Sequence, residues 1–243
     1  MIIKQYISKF NQQLLDVVNF EQLGFQVFEN DKFFYGWKLK KYINDKTDII
    51  SYGFSKDKRG YDVFLHPIRS FIVFEAVNKI LLNINNQSYN FYLNDPTIIQ
   101  IPGFDKKDTE YYDNISKLSF VCDRVILEEI YKEALELFKE QLETTVLPFF
   151  DKIQTLQQVN DEILEKYEPR EWTKYISGET MFKALIILKL CNNEVKYQEA
   201  SQSHKQIIAN AIQEGHIQYQ ERYNTLLELL DYLNSGNYLE VIE

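Results

Sequence analysis

The chain has 243 residues, enough for one large domain or two modest ones, and 45% hydrophobic beside 26% charged residues excludes wholesale disorder. The net charge of −9 is unevenly carried: 121–243 holds 22 acidic against 12 basic side chains, while 1–120 holds 14 against 15. An acidic half repels phosphate, so nucleic acid and anionic membrane are disfavoured as partners and a basic protein is favoured.

Residues 2–18 place Ile3, Ile7, Phe10, Leu14 and Val17/Val18 at spacings of three and four, with Lys4, Lys9, Gln12, Gln13 and Asp16 opposite. That pattern predicts an amphipathic helix ending near Asn19, with Leu23-Gly24-Phe25 turning into extended chain. From Gly24 to about Pro67 the period becomes two. Phe25 and Val27 alternate with polar neighbours, then Phe33, Tyr35, Trp37 and Leu39 form one row. Ile50, Tyr52 and Phe54 continue it, and Tyr61, Val63 and Leu65 follow the polar loop 56–60. Asn30-Asp31 and Asn44-Asp45-Lys46 supply the earlier turns. Strands joined by such short turns pair antiparallel, and the first helix is the nearest cover for one face of the meander.

Phe71-Ile72-Val73-Phe74 closes the meander, and Val77, Ile80, Leu81 and Ile84 predict a short helix from about Phe74. Tyr89 to Leu93 and Ile98 to Ile101 read as further strands, and Asp105 to Asn114 as an exposed charged loop. A long helix is expected over 121–147, ended by Pro148, because a proline pushes its predecessor out of helical space. A short turn from Pro148, a helix capped by Thr155 that runs to Tyr167, and helices near 178–191, 195–213 and 217–234 complete the pattern. The expected fold class is α+β: an N-terminal helix plus antiparallel β-meander packed with a C-terminal all-helical half. The expected division is 1–120 (helix and sheet) and 121–243 (acidic helices), packed as one compact unit.

Few residues suggest chemistry. His66, His204 and His216 are scattered, with no Cys or carboxylate at metal-ligand spacing. Glu128, Glu129, Glu133, Glu136, Glu140 and Glu143 fall opposite the apolar stripe and read as a solvated face. Asp105, Asp108, Glu110 and Asp113 lack the spacing and central glycine of a calcium loop. Glycine is never clustered, so a phosphate-cradling loop is not expected, and no Gly-x-Ser-x-Gly elbow is present. Cys122 and Cys191 read as reduced core thiols. No catalytic residue, metal or cofactor is expected. The N-terminus lacks the features of a signal peptide, and no apolar run reaches the ~18–20 residues of a membrane span, so no membrane insertion and a cytoplasmic location are expected.

One group has a binding flavour: Tyr35, Trp37, Tyr52, Tyr61, His66 and Arg69 gather the residue types enriched at protein interfaces. The same rings suit a core beneath the first helix, and alternation alone does not say which sheet face is covered. The order of segments resembles uncharacterised bacterial domains of the immunity-protein-like kind. Leu23-Gly24-Phe25, Phe33-Phe34-Tyr35-Gly36-Trp37 and Val146-Leu147-Pro148-Phe149-Phe150-Asp151 followed by Thr155-Leu156 carry this resemblance, over about residues 1–165. It implies a non-enzymatic bacterial protein, of a kind some of whose members sit beside polymorphic toxins, and brings no catalytic residues. The leading expectation is a non-enzymatic protein-binding protein, as a toxin-neutralising immunity factor. A small-molecule-binding protein or hydrolase with a pocket between sheet and helices, and a homo-oligomeric structural protein, are the alternatives.

Overall fold

The computed structural model describes residues 3–29, 35–56, 62–84, 95–101, 120–121 and 128–242. In chain order the elements are α1 (Ile3–Val18), β1 (Gln26–Glu29), β2 (Tyr35–Ile43), β3 (Lys46–Lys56), β4 (Asp62–Phe74), α2 (Glu75–Leu82) and β5 (Phe120–Val121). There follow α3 (Glu128–Gln141), a π-helical turn (Leu142–Val146), α4 (Leu147–Lys152), α5 (Leu156–Val159) and a second π turn (Asn160–Leu164). The rest comprises α6 (Thr180–Leu190), α7 (Glu194–Gln213), α8 (Gln220–Ser235) and α9 (Leu239–Ile242), with 3-10 turns at Trp172–Lys174 and Ile217–Tyr219. The protein is α+β, with an antiparallel sheet in the order β1-β2-β3-β4-β5 and a helical C-terminal half. It forms two compact units, each made of two stretches of chain: 1–71 with 103–152, and 72–102 with 153–243.

In the first unit, α1 buries Ile7, Phe10 and Leu14, the stripe its spacing predicts. It stops at Asn19, whose backbone turns left-handed at φ 47° and whose Oδ1 accepts from the Gln22 amide at 3.3 Å. Between β2 and β3 a two-residue turn, Asn44-Asp45, closes on the pair Ile43–Lys46, with Asn44 at φ 52°. An asparagine tolerates that conformation better than a branched residue. This turn sets the register: Trp37 lies opposite Tyr52, Leu39 opposite Ile50, and Val27 of β1 opposite Leu39. Phe10 of α1 and Phe138 of α3 meet edge-on at 5.5 Å, and their rings reach Phe54 and Tyr52 at 5.6 and 5.7 Å. The Trp37–Leu39–Tyr52–Phe54 face is therefore the one these two helices cover, while Ile49 and Ser51 of β3 are buried on the other face.

Two helix boundaries differ from expectation. Phe120 and Val121 pair antiparallel with Val63 and Asp62, so the chain is extended where the long helix was expected to begin. Sheet pairing has overridden helical periodicity there. Pro148 does not end the helix either. The π turn Leu142–Val146 precedes it, with the Leu147 amide bonding Leu142 O five residues back. A widened turn gives the pyrrolidine ring room against the preceding carbonyls, and the missing amide costs little there. The strand expected at Tyr89–Leu93, the loops 56–60 and 105–114, and Cys122 lie wholly or mostly outside the described residues.

A fully buried ion pair sits at the start of β3. Lys46 Nζ lies 2.8 Å from Asp48 Oδ1 and donates to Phe150 O at 2.8 Å, with both side chains 2% exposed. Burial pulls the Lys46 ammonium below its usual range and pushes the Asp48 carboxyl above its own, while their mutual attraction opposes both shifts. Removing one partner strands a charge in the core, so Asp48→Ala is expected to destabilise the protein by about 3 kcal/mol. Lys46→Met with Asp48→Leu should lose less than the single change; comparison of urea midpoints tests it.

In the second unit α6 is buried on every side: Phe182, Ala184, Leu185, Ile186, Ile187 and Leu188 are all inside. A helix apolar all round must be surrounded, and α2, α5, α7 and α8 pack against it. Thr155 caps α5 through a capping box: its Oγ1 accepts from the Gln158 amide at 3.2 Å, and Gln158 Oε1 accepts from the Thr155 amide at 3.1 Å. The segment Ile98–Ile101 forms no strand. Ile98 instead bridges Ile72 on one side and Ile176 on the other, in a run too short between Pro96 and Pro102 to build a ladder. Thr155→Ala is expected to cost about 1 kcal/mol in thermal or urea unfolding.

Candidate binding surfaces

The structure separates the six residues with a binding flavour. Trp37 and Tyr52 are brought together, stacked at 5.5 Å, and Tyr52 is wholly buried with its hydroxyl donating to Asn11 Oδ1 at 2.6 Å. Burial pushes the Tyr52 phenol far up, so it stays neutral. Trp37 is half-buried and meets Phe54 edge-on at 6.3 Å, and Tyr35 lies opposite Phe54 in the ladder. His66 is half-buried on β4, its imidazole pulled below the usual value by burial and then by Arg69, which is exposed. Tyr61 lies outside the described residues.

A different surface of the first unit is open. β1 ends the sheet, and among the described residues no strand pairs with its outer edge. Alternate residues of such an edge turn both N–H and C=O outward, which makes it a template for another chain. Val27 and Phe28 on it are 44% and 40% exposed, and Tyr42 of β2 is 54% exposed. Phe28 and Tyr42 share the face opposite Val27, with Lys40 Nζ 5.4 and 6.0 Å from their ring centres. An open groove of about 610 Å³ follows the edge, lined by Gln12, Asp16, Asn19 and Glu21 on one side and Gln26 and Val27 on the other. Successive strand residues face opposite ways, so a groove touching both Gln26 and Val27 runs along the edge itself. Sequence spacing does not reveal this surface.

The second unit gathers polar groups around the start of α6. Arg222 of α8 pairs with Glu179 at 2.7 Å and lies 5.4 Å from the centre of the Phe182 ring. Lys183 is 2% exposed and donates to Pro96 O at 2.6 Å; burial lowers its ammonium to about 8, against the attraction of Asp95 and Glu179. Among the described residues His204 Nε2 of α7 has no hydrogen-bond partner, and burial, then Arg222, lowers its imidazole to about 4. Cys191 is half-buried, its thiol pushed up to about 11 by burial and then by Asp161, which leaves little thiolate near neutral pH. Among the described residues no three His, Cys, Asp or Glu are placed to hold a metal ion, and no helix is long and apolar enough to cross a membrane.

Glu133, Glu136, Glu140 and Glu143 of α3 and its following turn are exposed, as their position opposite the stripe predicts. The outer faces of α7 and α8 expose Glu194, Glu199, Glu221, Glu228 and Asp231. The same helices expose the apolar side chains Val195, Ile207 and Leu227, with Ile217 and Tyr219 on the intervening turn.

Comparison with protein families, curated proteins and solved structures finds no match.

The His204 shift has a sign. The folded protein holds the imidazole neutral down to about pH 4, whereas the unfolded chain protonates it near 6.5. The stability this contributes is complete above 6.5 and is lost as pH falls from there through 4. His204→Gln is therefore expected to flatten the dependence of the urea midpoint between pH 6.5 and 4; an unchanged slope counts against the shift.

Proposed function

We propose that this chain acts by binding a basic protein, as a toxin-neutralising immunity factor does, and not by catalysis. The observation that carries the reading is that α7 and α8 expose both carboxylates (Glu194, Glu199, Glu221, Glu228 and Asp231) and apolar side chains (Val195, Ile207 and Leu227). Carboxylates of one sign steer a basic partner into encounter, and apolar groups on the same helices supply area to bury once docked. A toxin that cleaves nucleic acid carries the positive surface this arrangement fits.

Co-expression of the chain with each protein encoded beside its gene, followed by surface binding kinetics, tests the reading. A basic partner is expected whose association slows as salt rises. Replacing Glu199, Glu228 and Asp231 together by Lys should slow association about ten-fold or more while leaving the fold intact. Binding that ignores both salt and these changes overturns the proposal.

A further inference from the structure

We infer that the outer edge of β1 is a strand-addition site for an extended segment of a partner protein carrying Lys or Arg at alternate positions. This rests on the reading of the chain as a protein binder and names a second surface, in the first unit, through which it binds.

Three observations meet at this edge. First, alternation turns the N–H and C=O of Val27 outward while Gln26 and Phe28 face β2, and among the described residues nothing hydrogen-bonds those Val27 groups, so an added strand gains main-chain bonds there without displacing any. Second, the groove along the edge leaves room for the added strand's side chains. Its α1 wall and following turn carry the carboxylates of Asp16 and Glu21, with Gln12 Nε2 donating to Asp16 Oδ1 at 2.9 Å. Third, the opposite face of the edge shows Phe28 and Tyr42 with Lys40 between them.

An added strand points successive side chains to opposite faces. Those on the groove side meet Asp16 and Glu21, whose two carboxylates outnumber the Lys41 ammonium on that side, its Nζ 5.9 Å from the Phe25 ring centre, and are read as cations. Those on the other side lie against Phe28 and Tyr42, where an ammonium already sits, and are read as apolar. The segment that fits therefore alternates basic and apolar residues. The four described residues of β1 span roughly 13 Å, so a segment of six or seven residues is long enough to lie along them.

The test titrates the full chain, labelled with nitrogen-15, with a seven-residue capped peptide alternating Lys with Val and Thr. The amide signals of Gln26–Glu29 are expected to shift and their hydrogen exchange to slow. A peptide of the same sequence N-methylated at alternate residues should bind at least ten-fold more weakly. Asp16→Lys with Glu21→Lys, both exposed in the wild type, should lower affinity for the unmethylated peptide by at least ten-fold. No shift at 26–29, equal binding of the methylated peptide, or pairing of β1 with a second copy in the absence of peptide overturns the inference. The two proposals fail separately. If the basic partner binds but the peptide does not, the edge is not a strand-addition site and the protein-binding role stands. If the peptide binds but no neighbouring protein does, the reverse holds.

Discussion

The covering of one face of the sheet governs the first unit. Leu39, Ile50, Tyr52 and Phe54 are fully or almost fully buried, and α1 and α3 supply Phe10 and Phe138 as the rings that close over them. Edge-to-face contacts among four such rings add to the area they remove from water, and they fix ring orientation more tightly than aliphatic packing does. Once that face is committed, strand alternation sends Phe28, Lys40 and Tyr42 to the opposite one. Val27 and Phe28 on opposite faces of β1 are both exposed, so its place at the end of the sheet, and not the choice of face, leaves it open.

The second unit solves a different problem. Its central helix α6 has no polar face, so it is stable only when enclosed. Its neighbours α7 and α8 bury Tyr197, Ala200, Ile208, Leu226, Leu229 and Leu233 toward the inside and turn their carboxylates outward. The acidic excess of the sequence therefore becomes a surface property by default, since ionised side chains remain in water unless paired.

Both units also hold charged or titratable groups in apolar surroundings: Lys46 with Asp48 in one, Lys183 and His204 in the other. Each is settled differently. Lys46 and Asp48 neutralise one another, Lys183 finds a backbone carbonyl, and His204 gives up its proton. Such groups tie a core to one arrangement, because a slipped packing leaves a charge unmatched, and they make stability sensitive to pH.

Local rules were sufficient for much of the fold. The period-two row Tyr35–Trp37–Leu39, the turn at Asn44-Asp45, the passage from strand to helix at Phe74 and the Thr155 cap are each decided by residues within a few positions of one another, and they stand where local chemistry puts them. Local rules failed where a distant segment competed. Val121 was drawn into pairing with β4, and a π turn carried the helix past Pro148. The candidate surfaces were less legible still: Tyr52 and Trp37 look alike in the sequence, yet one ring is sealed in the core and the other half-open. The open edge of β1 belongs to residues whose spacing says nothing of it. The amino-acid order by itself determined most of the described strands and helices and that the second half is acidic, because propensity, period and charge are properties of neighbours in the chain. Which sheet face is covered, which edge stays unpaired and which histidine loses water were decided only by tertiary structure, because burial depends on segments far apart in the chain.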